Sequence, residues 1–209
     1  MDFSLTLVLI AVTCLSSYYA WQNPQYMASS MFTPYHIHQR GEYQRFVLSG
    51  FIHKDGTHLL FNMFTFYFFG NIVEQFLVYK MGLIPGWVVY LLFYITAIVI
   101  ADIPTFFKHK NDPRYHALGA SGGTSATVFA SIILMPLSDV CIFGIFCLPG
   151  FILGFFFLAY SYIKGKEEVG NINHSAHLYG ALYGIVFILI LSPFSALDFF
   201  DQIISYRPF

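Results

Sequence analysis

The sequence predicts an all-α membrane protein, a bundle of six transmembrane helices with a folded first loop lying at the membrane interface. Three observations predict it. Of 209 residues 57% are hydrophobic and only 10% are charged, whereas soluble domains run near a quarter charged. The charged residues cut the chain into six long windows that carry almost no charge. Four polar residues inside those windows, His58, Asn62, Ser121 and His177, lie near the starts of the second, fourth and sixth.

The windows are residues 3–39, 56–73, 81–101, 115–138, 140–163 and 169–197. A spanning helix needs about 20 apolar residues, so spans are expected near 3–20, 58–77, 85–102, 119–136, 141–163 and 174–195. The start of the first carries no Lys or Arg, which favours a first transmembrane helix over a cleaved signal peptide. Residues 21–57 mix aromatics such as Trp21, Tyr35 and Phe46 with His36, Arg40, Glu42 and Arg45. That mixture is too apolar for a solvated loop and too polar to span, so a folded interfacial element is expected. Pro149-Gly150 predicts a kink in the fifth span or a shift in its start. No repeat, linker or low-complexity stretch divides residues 1–209, which predicts a single membrane domain.

Composition also narrows the partners. The low charged fraction makes the lipid bilayer the expected environment, and the net charge of −1 suggests neither nucleic acid nor an anionic substrate. Cys14, Cys141 and Cys147 lie in apolar runs and are read as small buried hydrophobes rather than a disulfide framework. His36-x-His38 and His174-x-x-His177 have no Asp or Glu suitably near. No metal site and no cofactor are expected.

Alternation of direction makes the other polar residues informative. The second, fourth and sixth spans run the same way, so their starts share one face of the membrane. His58 and Asn62 lie in the first turns of the second, Ser121 starts the fourth, and His177 starts the sixth. Ionisable groups inside a bilayer normally face the protein interior and mark function. His58 and Asn62 stand four apart and share a helix face. His177, Gly180 and Gly184 follow the spacing of another, and Gly119 with Gly123 brackets Ser121 in a small-x-x-x-small pair. Two glycine-lined faces would let a serine and a histidine approach within hydrogen-bond reach.

The ordered set of Arg45, Ser49, Phe51, His53, His58-x-x-x-Asn62-Met63, Gly119-Ala120-Ser121-Gly122 and Ala176-His177-x-x-Gly180-x-x-x-Gly184 resembles the rhomboid intramembrane serine proteases of the bacterial six-span type. The resemblance runs from about Arg45 to Gly184. It implies Ser121 as nucleophile and His177 as its base, a dyad without a carboxylate. It also implies that His58, Asn62 and the Ser121 backbone N–H donate to the oxyanion. Gly119, Gly122, Gly180, Gly184, Arg45 and His53 would support the site, and Glu74 resembles a recurrent acidic position; Gly70 and Glu74 are read as helix-end structure. Two positions depart. Ser125 stands where bacterial members carry an aromatic against the histidine, and Gln44-Arg45 replaces a Trp-Arg pair.

Each residue alone has a plainer reading: a small residue at a helix start, an interfacial histidine, a cap. The remaining histidines, His36, His38, His109, His116 and His174, are read as loop or surface residues. The ordered set favours a serine endopeptidase that cuts transmembrane segments of membrane proteins. A non-catalytic rhomboid-like protein that binds membrane clients would keep the bundle but usually lacks the nucleophile or the base. A channel or transporter would spread polar groups through the membrane depth. The resemblance further implies both chain ends in the cytoplasm and a bacterial plasma-membrane location. Eight Lys and Arg then lie on the outer side against two inside, the reverse of the usual charge bias.

Overall fold

The computed structural model describes residues 4–142, 146–167 and 173–207. The first helix, α1 (Leu5–Gln22), leads into a first-loop segment made of α2 (Pro24–Ser30), α3 (Pro34–Arg40), α4 (Arg45–Leu48) and a single 3-10 turn, Ser49–Phe51. Then follow α5 (Gly56–Met81), α6 (Leu83–His109) and α7 (Ser121–Leu134). A two-stranded antiparallel hairpin, β1 (Asp139–Ile142) with β2 (Phe146–Pro149), leads to α8 (Gly150–Glu167), α9 (His174–Leu191) and α10 (Phe194–Ser205). Among the described residues α1, α6 and α9 are each long and apolar enough to cross a membrane. The protein is a membrane protein built of helices.

Local chemistry sets the helix starts. Asn23 accepts the N–H of Tyr26 ahead of Pro24, and Asp55 accepts the N–H of His58 at 2.8 Å. Both are short polar acceptors at the N-cap, where helical N–H groups lack partners. The start of α1 is capped from another helix. Glu74 of α5 accepts the N–H groups of Leu5 and Thr6, the hydroxyls of Ser4 and Thr6, and Trp87 Nε1–H, all at 2.7–2.9 Å. A carboxylate amid apolar helices is costly unless its lone pairs are filled. Here one acid ties α1, α5 and α6 together at the end of the bundle away from the first-loop segment.

Two parts of the chain depart from the sequence reading. The fifth helix starts at Gly150, the shifted start that Pro149-Gly150 predicts, rather than near 141, because Asp139–Ile142 and Phe146–Pro149 form paired strands. Cys141 and Cys147 face each other across it and are joined in a disulfide, Cα–Cα 3.9 Å; Cys14 is free. Reading these two cysteines as buried hydrophobes fails because both are exposed at a strand pair, where directly opposed side chains stand close. In addition α7 has only 14 residues, about 21 Å at 1.5 Å per residue.

The core lies where α5, α6, α7 and α9 meet. Phe66, Tyr90, Phe93, Tyr94 and Ile188 are fully buried in it. Between α7 and α9 the side chains vanish. A Cβ on Gly180 would collide with the Gly122 carbonyl, and one on Gly184 with the Ala126 carbonyl. In lipid there is little hydrophobic drive between helices, so such close backbone packing carries association instead.

Candidate functional site

The chain enters α7 without helical structure, and its polar backbone must find partners elsewhere. The first-loop segment supplies them. Phe32 and Ala117 form a bridge with bonds of 2.9 and 3.0 Å. The Gly119 N–H donates to the Ser49 carbonyl at 2.9 Å, and the Ala120 N–H donates to His53 Nε2 at 3.2 Å. Because His53 Nε2 accepts, its proton sits on Nδ1, which faces Ser17 Oγ at 3.1 Å. Trp21 Nε1–H donates to the His53 carbonyl at 2.7 Å. The turn before Ser121 is thereby tied to the first helix through one buried imidazole.

Arg45 holds the rest of that segment. It is 5% exposed, and its guanidinium donates to the carbonyls of Ala28 and Met31 at 2.8 and 2.9 Å and to Glu42. The Arg45 bond holds the Glu42 carboxyl below its usual range. Arg45 and His53 therefore lie in the scaffold beneath the site.

Gly119 has φ +121, a backbone region that L side chains rarely adopt. A Cβ there would stand 2.6 Å from His58 Cε1. The missing side chain leaves room for the His58 ring beside the turn, and the His53 and His58 rings meet in a T-shape, centroids 4.9 Å apart.

Ser121 is the first residue of α7, His58 and Asn62 lie in the opening turns of α5, and His177 lies in the first turn of α9. All four line a single open cleft of about 1380 Å³. Gly122, on the far side of the turn, packs toward Ala101 and Ala176. The Asn62 amide donates to the His58 carbonyl at 2.9 Å, and Nδ2 carries a second hydrogen for another acceptor. Among the described residues no three His, Cys, Asp or Glu side chains are placed to share a metal ion.

Over residues 40–194 the chain matches the Rhomboid domain family. It belongs to the rhomboid family. It is 31% identical over 166 residues to RHOMBOID-like protein 12, mitochondrial, of Arabidopsis thaliana, covering 76% of this chain and 49% of that protein. It is 29% identical over 170 residues to Rhomboid-like protein 11, chloroplastic, of the same plant, covering 77% and 56%. The chain thus spans about half the length of these two relatives.

Two cleft residues of this rhomboid were not singled out by sequence. Phe157 of α8 stacks on the His177 ring, centroids 6.1 Å apart and planes at 25°. It provides the aromatic neighbour that Ser125 does not, from a different helix. Nothing distinguishes Phe157 within Phe155-Phe156-Phe157, so no local signal could have found it. His174, expected in a loop or at the surface, is 8% exposed and its ring lies 5.8 Å from that of His177. Its position three residues before His177, on the same face of α9, was the available signal. His109 and His116 also line the cleft.

Proposed function

We propose that this rhomboid-family protein is an intramembrane serine endopeptidase acting on transmembrane segments of membrane proteins, with Ser121 as nucleophile and His177 as base. The observation that carries this reading is the common cleft lined by Ser121, His177, His58 and Asn62. In the proposed reaction His177 takes the Ser121 hydroxyl proton as Oγ attacks the scissile carbonyl. The oxyanion receives hydrogen bonds from the Ser121 N–H, His58 and Asn62. Collapse breaks the C–N bond as the proton passes from His177 to the leaving amine. Water entering by the open cleft then attacks the ester, giving its proton to His177, and the acid product leaves as Ser121 is restored.

Six helices, α1, α5, α6, α7, α8 and α9, would span the bilayer, and the shortness of α7 supports a site below the surface. About 21 Å of helix does not cover a hydrocarbon core of about 30 Å, so the missing length is met by the non-helical turn that carries Gly119 and Ala120. We place the protein in a bacterial plasma membrane, with no cofactor. Serine-reactive fluorophosphonate labelling of purified protein tests the reading. Labelling of the wild type and none of Ser121→Ala supports it; no labelling of either would favour a client-binding role for the same cleft.

A further inference from the structure

A second cavity, of about 20 Å³, lies behind the Ser121 turn. Asp102 of α6 lines it together with Gly119, Ser121 and Gly122 from the entry to α7 and Asn173 and Ala176 from the entry to α9. The place is a junction of three helices. Beside Asp102, Ala101 sits where a Cβ on Gly122 would come within 2.6 Å.

Asp102 Oδ1 accepts from Asn173 Nδ2 at 3.3 Å. The other end of the same amide is also used: Asn173 Oδ1 accepts from Thr105 Oγ1 and from the Ala176 N–H, each at 3.1 Å. The Asn173 carbonyl accepts the His177 N–H at 3.3 Å. The amide thus lies with its NH2 end toward Asp102 and its oxygen toward the start of α9, the pairing that an accepting carboxyl oxygen favours. An acid inside a helix bundle is costly to keep, and none of the roles proposed for Ser121, His177, His58 and Asn62 uses it.

We infer that Asp102 is a positioning residue: by orienting Asn173 it locks the first turn of α9, and so His177, against the Ser121 turn. This rests on the proposed dyad. Asp102 touches no reacting atom; it acts through Asn173, and a displacement of about 1 Å at a reacting group costs up to about 10²-fold in rate.

The test uses full-length protein in liposomes with a single-span fluorogenic substrate. Asn173→Asp keeps an oxygen for the α9 N-terminus but sets a second carboxylate against Asp102. It should lower kcat about 10- to 100-fold with KM within about twofold. Asp102→Ala should do the same. The exchanged pair, Asp102→Asn with Asn173→Asp, restores a donor facing an acceptor and should recover most of kcat. Wild-type kcat in Asn173→Asp, or no recovery in the exchanged pair when its unfolding midpoint matches wild type, overturns the inference. The His177 ring resonances, read by NMR in the same proteins, give a measure independent of turnover. If the wild type neither cleaves nor takes the probe, the dyad reading fails on its own. Ring resonances unmoved in Asn173→Asp would then still overturn the positioning role.

Discussion

His53 Nε2 accepts the backbone N–H of Ala120 at 3.2 Å, so a histidine of the first loop holds the residue immediately before Ser121. The same ring reaches Ser17 of α1 through Nδ1. The first loop is a strut under the turn. Replacing His53 by Ala leaves the Ala120 N–H without a partner, a loss of about 1–3 kcal/mol for a buried donor. His53→Ala is expected to unfold earlier in a thermal or denaturant scan and to take a fluorophosphonate probe more slowly than wild type. Unchanged stability would show that the bond contributes nothing.

That imidazole also predicts a pH response. Burial, with smaller help from His58, holds the His53 pKa down from 6.5 to about 3, while Asp55 opposes it. The unfolded chain therefore binds a proton at a higher pH than the folded one. Its contribution is complete above about 6.5 and declines as pH falls toward about 3, by up to about 1.4 kcal/mol per unit. Unfolding midpoints between pH 7 and 4 should fall more steeply for wild type than for His53→Ala.

The glycines between α7 and α9 predict a severe phenotype. An added methyl at Gly180 or Gly184 would overlap a backbone carbonyl, which has no rotamer by which to escape. Overpacking typically costs about 1–3 kcal/mol and more where backbone must move. Gly180→Ala and Gly184→Ala should each lower the unfolding midpoint and separate the Ser121 and His177 helices. Probe labelling should fall in step with it.

Phe157 predicts a milder loss confined to rate. An aromatic pair contributes about 0.5–1.5 kcal/mol beyond its buried area, so Phe157→Ala should slow labelling of Ser121 by about 2- to 10-fold. Phe157→Tyr, which keeps the ring, should remain near wild type. Equal rates in all three proteins would remove Phe157 from the orientation of His177.

Membrane orientation is open to a direct labelling test. With the cleft facing outward, a Lys54→Cys variant should react with an impermeant maleimide in intact cells and Lys80→Cys only after permeabilisation. Lys54 serves better than Asp55, whose carboxylate caps α5. The excess of cations on the cleft side is partly structural. Arg45 is buried in carbonyl contacts, and Arg40 and Arg114 lie beside Glu42 and Asp112. The Cys141–Cys147 bond lies at the other end, and such bonds persist in oxidising compartments. Reaction of Lys80→Cys from outside would put the hairpin in that compartment and reverse the arrangement.

The polar residues that line the cleft were legible because apolar helices make polar exceptions conspicuous. His58, Asn62, Ser121 and His177 stand out against an uncharged background, and helix alternation puts them on one face without coordinates. Glu74 was legible as a helix-end residue for the same reason, but not that it caps α1, 69 residues away from Leu5. The hairpin was hidden because Val140-Cys141-Ile142 reads equally as the start of an apolar helix. Phe157 and His174 were hidden because their meaning is relational: a ring matters here only for what another helix places beside it.

Sequence by itself determined the rhomboid family, the helical membrane character and the chemistry available at the cleft. The first follows from the likeness of the ordered motifs to a known family, the second from composition, and the third from the residue types present. Tertiary structure alone decided that His53 anchors the Ala120 N–H, that α8 supplies the ring beside His177, and that Asp102 meets Asn173. Those contacts join residues 67, 20 and 71 positions apart. Local pattern cannot encode such pairings, because the direction in which one helix presents a side chain acquires a partner only once a second helix has packed against it.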